Sequence, residues 1–379
     1  MNKLDHDLVI VGAGPCGSFL AYRLATLGIK PLVLEKCQLP RDKTCAGGVT
    51  VRACSLFPFK IEECVEETIF GVRLSFKRRV KAVRTYPQPL AYMVSRPRFD
   101  AWLAARAAAA GATIQTGIEV RHVELLERGV KVTMAGGSLV TPLLVAADGA
   151  TSAVVRSLGW KANFEYGVGV NGQVRPGPER LGEWAGLMGL DYGVAGGYAW
   201  VFPKADHLSV GAGGSLRVAR GLRTYSQKLA GAYHLCQAGQ PAMGGALMPV
   251  RRPGSPLSRG RIALVGDAAG VIDPLTGEGL YYGLRSSLLA LPAILAVLRG
   301  DAEDLRAYDR ALESELSGEL KIARKIQKLN SLTPRIFFYW LQHNDRFWRA
   351  FCRLLRGEKT YASLRESLSP VLRRAFDLV

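Results

Sequence analysis

The sequence predicts an α/β chain. A nucleotide-binding domain on a parallel sheet is interleaved with an antiparallel-sheet substrate domain and followed by a helical C-terminal region. Three observations predict it. Residues 7–36, DLVIVGAGPCGSFLAYRLATLGIKPLVLEK, read as strand, glycine turn, helix and strand. The parallel-strand style returns far down the chain in RIALVGDAAG, residues 261–270. Between them, short alternating segments such as GVRLSF and RVKAVRTY read as antiparallel strands.

Taking the elements in order, the apolar run Leu8–Val11 has the composition of a strand buried on both faces. Gly12, Gly14 and Gly17 then fit G-x-G-x-x-G at the opening of a helix that ends at Gly28. Such glycines let a pyrophosphate rest against the helix N-terminus, where unpaired N–H groups point at it. Glu35 closes the second strand 18 residues after Gly17, placed to accept from ribose hydroxyls. This context of strand, turn, helix and acid-tipped strand is that of a Rossmann-type dinucleotide site.

Residues 95–112 begin a further helix, with Ser95 as its N-cap and Gly111 as its stop. The segment that follows reads as strands ending in LLVAADGA, and residues 160–258 are rich in glycine, aromatics and short strands. From about residue 300 the chain is helical in pattern. The expected organisation assigns 1–50, 93–157 and 259–300 to the nucleotide-binding domain. It assigns 51–92 and 158–258 to the substrate domain, and 301–379 to the helical region. No internal repeat is present.

Composition narrows the partners. The 379 residues favour two domains, and 50 Lys/Arg against 32 Asp/Glu leave a net charge of +18. That balance suits an anionic partner: a phosphorylated ligand or an acidic lipid surface. Nucleic acid is not expected, since no zinc finger, RNP signature or basic heptad occurs. The seven cysteines lack C-x-x-C spacing, and no Cys/His cluster has metal-ligand spacing, so no metal is expected. No signal peptide precedes the first strand, which places the chain in the cytoplasm with reduced thiols. The longest apolar run, SSLLALPAILAVL at 286–298, is 13 residues and contains Pro292; a span needs about 20. It is expected as a buried helix.

Further motifs bear on which dinucleotide is bound. ADGATSAVVR places Asp148 and Gly149 at a strand end. GDAAGVIDPLTGEGLYYGLRSS places Gly266 and Asp267 at another, and RPRFDAWL sets Arg96 four residues ahead of Asp100. With residues 7–36, these resemble the flavoprotein superfamily that includes aromatic hydroxylases and geranylgeranyl reductases. The resemblance covers most of residues 1–290 and implies FAD. It implies that Asp267 binds the ribityl hydroxyls, that Gly277 and Gly279 turn backbone N–H groups to the flavin ring, and that Arg96 lies near the pyrophosphate. Asp148, Glu35 and the adjacent Lys36 complete the expected FAD set. VGAGGS at 210–215 lacks a third glycine and an acid-tipped strand after it, so it reads as a strand end. No separate NADPH domain is expected.

GGYAWVFPKADHLSVGAGG, residues 196–214, resembles the Y-x-W-x-F-P segment that lines the substrate cavity in the geranylgeranyl reductase family. Tyr198, Trp200, Phe202 and Pro203 match it. Residues i, i+2 and i+4 of a strand share a face, so the three rings are expected to form a wall. The same family carries a Cys–Gly-rich loop, and KTCAGGV at 43–49 resembles it, with Ala46 where many relatives have glycine. The resemblance puts Cys45, Gly47 and Gly48 beside the flavin ring. Saturating an isolated C=C needs a hydride and a proton. Cys45 is the expected proton donor, its thiol raised further by an apolar pocket. Tyr198 and Trp200 would favour positive charge developing at a branched carbon.

The activity so implied is FAD-dependent reduction of a polyprenyl lipid or diphosphate, with NADPH or a ferredoxin-type protein as electron donor. Two other readings stay open. One is a flavin monooxygenase or halogenase, because G-D-A-A-x-x-x-D-P and YAWVFP also look like halogenase segments. The other is a lipid carrier holding FAD structurally. Residues 319–379 hold 13 Lys/Arg against 5 Asp/Glu. Helical spacing there puts Phe347, Phe351 and Leu355 on one stripe, flanked by Trp348 and Leu354. That helix either lies on an anionic inner membrane face or caps the cavity. FKRRVK at 76–81 is a second basic cluster, suited to a diphosphate head group or to a solvated edge strand.

Overall fold

The computed structural model describes residues 6–160, 164–235, 242–367 and 373. Its nucleotide-binding half is a six-stranded sheet. In spatial order the strands are Ser258–Arg259, Ile262–Leu264, Leu144–Ala146, Leu8–Val11, Pro31–Glu35 and Thr113–Thr116. All neighbours run parallel except the Ser258–Arg259 edge. The central strand explains the apolar run: Ile10 pairs with Val145 on one side and Val33 on the other, and all four residues of Leu8–Val11 are buried. Helices Pro15–Ala25 and Leu280–Arg299 pack together beside it. An antiparallel meander, Val120–Leu126, Gly129–Met134 and Gly137–Thr141, supplies the crossover to Leu144–Ala146.

Leu280–Arg299 is longer than the run read from sequence, because Pro292 is accommodated inside the helix instead of ending it. Its 20 residues are long and apolar enough to cross a bilayer. They are spent on the core instead: Leu284, Ala290, Leu291, Ile294 and Val297 are all buried. The Arg96–Ala109 helix follows Ser95, but that side chain makes no capping bond; Pro97 in the first turn sets the start.

The second large sheet has seven strands. They run in the order Gly244–Arg251, Phe164–Val174, Leu208–Ser215, Tyr198–Pro203, Leu187–Asp191, Gly71–Phe76 and Arg79–Thr85. Only Leu187–Asp191 and Gly71–Phe76 pair in parallel. A third, small sheet joins Gly48–Thr50, Ala91–Val94 and Val65–Ile69. The boundaries expected at 50 and 93 fall inside it, so the two halves are stitched together where the thiol-bearing loop ends.

The C-terminal helices cover one face of the seven-stranded sheet. In Asp345–Arg356 the buried stripe is Trp348, Cys352 and Leu355, joined by Leu354. Phe347 and Phe351 are half-buried against the same cluster as Leu74, Leu190 and Tyr192. The expected membrane-facing stripe is therefore mostly packing surface. The helix caps the sheet because its i, i+4, i+7 residues meet the apolar face of strands Gly71–Phe76 and Leu187–Asp191.

Candidate active site

The nucleotide end is built from the turn after Leu8–Val11. Gly12 has φ +100°, and a Cβ there would lie 2.5 Å from the Ala147 carbonyl oxygen. A Cβ on Gly17 would lie 2.0 Å from the Gly12 oxygen. Strand, turn and helix thus approach as closely as main chain allows. Glu35 is buried, accepting from Ala13 N–H at 2.8 Å and Cys37 N–H at 3.1 Å. Lys36, the next residue, is exposed and shares none of these contacts.

The first turn of Pro15–Ala25 carries no side-chain cap and no acidic residue, which leaves its N–H groups facing outward at Gly14. Two cations stand around it. Arg41 reaches 3.6 Å from the Cβ position of Gly14 while pairing with Glu35 at 3.4 Å and Asp100 at 3.1 Å. Lys43 Nζ lies 3.8 Å from the Cβ position of Gly149. Asp148 Oδ2 accepts from Ala153 N–H at 2.7 Å and Val154 N–H at 3.4 Å, whereas its Oδ1 is buried without a partner. Burial raises the Asp148 carboxyl above the usual range. An open helix N-terminus, two cations and an orphaned acceptor fit a dinucleotide with an anionic bridge.

Asp267 opens the turn Gly266–Ala269, its Oδ1 3.0 Å from the Cβ position of Gly279. Residues 274–279 are fastened from both sides. Buried Asp273 accepts from Leu275 N–H at 2.8 Å, Thr276 N–H at 3.2 Å and the Tyr361 hydroxyl at 2.7 Å. Glu278 accepts from Thr50 and pairs with buried Arg52, whose guanidinium also lies over the Tyr281 ring at 4.6 Å. Arg52 explains why this loop reads G-E-G: the acid has a cation waiting.

At the ring end, Tyr198, Trp200 and Phe202 alternate with buried Ala199, Val201 and Pro203. The three rings follow one another at 5.9 and 6.4 Å. Pro203, expected from the Y-x-W-x-F-P match to touch substrate, is turned by the strand's two-residue period to the face opposite the three rings. Tyr198 donates its hydroxyl to the Thr276 carbonyl at 2.5 Å, tying the wall to the 274–279 loop. Trp200 Nε1 donates to Asn171 Oδ1 at 2.9 Å. The glycines of VGAGGS are its bed: a Cβ on Gly211 would lie 2.3 Å from the indole. They belong to a strand, as the sequence implied. Met248 Sδ stands 3.7 Å from the Cβ position of Gly277, which closes the gap between wall and loop.

The thiol loop meets this wall. Gly47 has φ +72°; a Cβ there would lie 2.2 Å from the Val94 oxygen and 2.7 Å from Lys204 Nζ. A Cβ on Gly48 would lie 3.2 Å from the Phe202 ring. Lys204 is buried and donates to the Gly47 carbonyl at 2.9 Å, while Gly47 N–H donates to Cys45 Sγ at 3.4 Å. Arg96 pairs with both oxygens of Asp100, at 2.8 and 2.9 Å, and its charge acts on the Cys45 thiol. Arg96, expected near the pyrophosphate, shares Asp100 with Arg41, the cation nearest Gly14, and its charge also faces the thiol.

This overturns one expectation. Cys45 is accessible, yet enough protein surrounds it that burial is the largest influence and pushes its thiol up. The Arg96 charge, the Gly47 N–H and Lys204 together outweigh burial and hold it below the ordinary thiol range. Cys16, by contrast, is wedged against Gly266 and Gly283 and is pushed up to about 12 by burial. Lys204 is brought down to about 8 by burial, against the opposing pull of Cys45. Sequence reasoning missed Arg41, Arg52 and Lys204. The available signal was position: Arg41 and Lys43 flank the thiol turn, and Lys204 ends the aromatic strand.

Together these features define a flavin-dependent oxidoreductase site: a dinucleotide cradle opening onto an aromatic wall and a polarised thiol. Residues 5–174 match the family model described as FAD binding domain. The chain is 30% identical over 349 residues to digeranylgeranylglycerophospholipid reductase 1 of Methanopyrus kandleri, covering 86% of this chain and 91% of that protein. It is 31% identical over 346 residues to menaquinone reductase of Mycobacterium tuberculosis, covering 85% of this chain and 83% of that one. A geranylgeranyl bacteriochlorophyll reductase-like structure from Thermoplasma acidophilum superposes with a TM-score of 0.79 at 20% identity, over 96% of this chain and 99% of the other. The chain belongs to the geranylgeranyl reductase family of FAD-dependent oxidoreductases, and its cofactor is FAD.

Proposed function

We propose that the enzyme saturates isolated C=C bonds in a polyprenyl chain carried by a lipid or a diphosphate. One observation carries the reading: the aromatic strand and the thiol loop meet at Gly47 and Gly48, where Phe202 and Lys204 leave no room for another side chain. Around that junction, Tyr198, Phe202, Phe337, Phe347 and Phe351 are half-buried in one apolar cluster beneath the C-terminal helices. Such an apolar surface beside the thiol loop suits contact with a long hydrocarbon. Relatives named digeranylgeranylglycerophospholipid reductase and menaquinone reductase support that reading.

When bound, FAD supplies the hydride in its reduced form. The residues of the chain handle the proton and the charge. Cys45 gives the proton to the second carbon of the bond. The thiolate left behind is held by Arg96 and by Gly47 N–H. Lys204, across Gly47, returns a proton to the sulfur and reloads from water; at about 8 its acidity is close to working pH. The faces of Tyr198 and Trp200 steady positive charge at the branched carbon. Tyr198 keeps its own proton, because burial and then Asp273 and Glu278 raise its hydroxyl.

The test is anaerobic. The holoenzyme is reduced with dithionite, standing in for NADPH or a ferredoxin-type donor, and polyprenyl lipids and diphosphates are added. Flavin reoxidation with a product two mass units heavier per bond is expected. No reoxidation with any polyprenyl compound would leave the carrier reading. Hydroxyl or halide incorporation that needs oxygen would replace the proposal with a monooxygenase or halogenase.

A further inference from the structure

The Pro334–His343 helix is apolar on both sides. Its inner face, Phe338 and Leu341, is buried, with Phe338 5.9 Å from the Tyr192 ring and 5.4 Å from Phe76. Its outer face carries Ile336, Tyr339 and Trp340, which are 50%, 59% and 47% exposed, and Leu332 just before it is 76% exposed. Ile336, Tyr339 and Trp340 recur at i, i+3 and i+4, so they form one stripe opposite the buried side, and Leu332 ends the preceding helix just before the non-helical Thr333. Packing explains the inner face alone.

Beside this stripe lies a groove of about 700 Å³ with the inner aromatics at its floor. Its rim is the turn between Gly71–Phe76 and Arg79–Thr85, with Lys77, Arg79, Lys81 and Arg335 exposed around it. Arg78 also lines it, though its guanidinium is held over the Tyr225 ring at 4.9 Å. No acidic residue lines the groove. The turn is bound to the helix by Gln342, which donates to the Lys81 carbonyl at 3.2 Å, so stripe and cations form one surface.

We propose that this surface docks on an anionic phospholipid bilayer, the Ile336–Tyr339–Trp340 stripe entering the headgroup region and the 77–81 turn with Arg335 pairing with lipid phosphates. The charge is complementary to such a surface and to no neutral one. Tyr339 and Trp340 have an apolar body and a polar tip, suited to that depth. A second copy of the chain would bring this unrelieved positive rim against another like it or need an acidic patch of matching size. The docking helix is also the one whose inner face lies against Tyr192, beside the aromatic wall. That position would deliver lipid to the cavity, and this last clause alone rests on the polyprenyl reading.

The experiment uses full-length holoenzyme and sedimentable vesicles of phosphatidylcholine, with and without phosphatidylglycerol. Because the whole chain is strongly basic, the control is a second charge reversal elsewhere. Lys77→Glu with Lys81→Glu is expected to lower partition onto anionic vesicles ~10-fold or more, whereas Arg217→Glu with Arg220→Glu, the same change of charge at another exposed site, stays within about twofold. Brominated lipids are expected to quench a tryptophan signal that Trp340→Phe removes. Flavin content and turnover on detergent-dispersed substrate report that the variants are folded, and they separate failure of docking from failure of the reductase reading. Equal losses for both charge pairs, binding indifferent to phosphatidylglycerol, an unquenched Trp340, or a dimer that protects the stripe would each overturn the proposal.

Discussion

The two ends of the site use glycine differently. At the nucleotide end, the missing Cβ atoms of Gly12 and Gly17 would strike main chain, the Ala147 and Gly12 carbonyl oxygens at 2.5 and 2.0 Å. At the ring end, the Cβ of Gly48 would meet a side chain, the Phe202 ring at 3.2 Å, whereas those of Gly47 and Gly211 would still strike main chain, the Val94 and Val170 oxygens at 2.2 and 2.3 Å. Main chain in a parallel sheet cannot yield without moving strands, whereas a side chain can turn. The first end is therefore all-or-none, and the second is graded where side chains line it, at Gly48 and along the aromatic wall. Cofactor retention should break at the first, and chemistry should be tuned at the second.

The largest effect belongs to Gly17→Ala. Its Cβ would also lie 3.1 Å from the Ala147 side chain, so both the turn and the 146–148 strand end resist it. The helix must withdraw from the sheet, and the N-terminal N–H groups leave the place where a pyrophosphate sits. The purified variant should be colourless, with stability lower by about 2–3 kcal/mol, the usual cost of overpacking. Flavin absorbance and a denaturant titration measure the two parts. A yellow, active Gly17→Ala protein would erase the contrast between the two ends.

That contrast also governs what the sequence discloses. The nucleotide end is local: Gly12, Gly14, Gly17 and Glu35 lie within one strand–helix–strand unit, so spacing alone identifies it. The order of Asp148, Asp267 and the 274–279 loop adds FAD through family likeness. The ring end assembles residues from far apart in sequence. Period-two alternation disclosed the wall of Tyr198, Trp200 and Phe202, but not the contact of Phe202 with Gly48. The thiol was legible as a residue and not as a charge. Its acidity depends on Arg96, read as a phosphate ligand, and on Lys204, read as nothing. Pairings such as Arg52 with Glu278 cross more than two hundred residues and leave no periodic trace.

Next in size are the variants that act on the thiol. Cys45→Ala removes the proton donor while Gly47 and Gly48 keep the loop in place. It should retain FAD and lose turnover by about 10²–10³-fold. Full turnover with FAD bound would end Cys45's part in the reaction. Lys204→Met separates supply from donation. Wild-type turnover should fall as pH rises through about 8, because Lys204 is protonated below that value and neutral above it. Lys204→Met should show a plateau ~10-fold lower, and its alkaline limb should move away from about 8 to that of the Cys45 thiol itself, which must be protonated to donate. An unchanged alkaline limb in Lys204→Met would assign it to another group.

The smallest effect expected is Trp200→Phe, and its smallness is informative. The substitution deletes the indole N–H that donates to Asn171 Oδ1. That oxygen still accepts from the Ser209 hydroxyl at 2.8 Å, so no buried acceptor is left without a partner. The stability loss should stay near the ~1 kcal/mol of one net hydrogen bond. A six-membered ring keeps a π-face toward Tyr198 and Phe202, though a weaker one for a cation. Turnover should fall about threefold and flavin content should not change, because nothing at Gly12, Gly17 or Glu35 has moved. Loss of flavin from Trp200→Phe would show that the ring end is as rigid as the nucleotide end, the indole being coupled to the cradle through the glycine-bedded strand and the Tyr198–Thr276 bond.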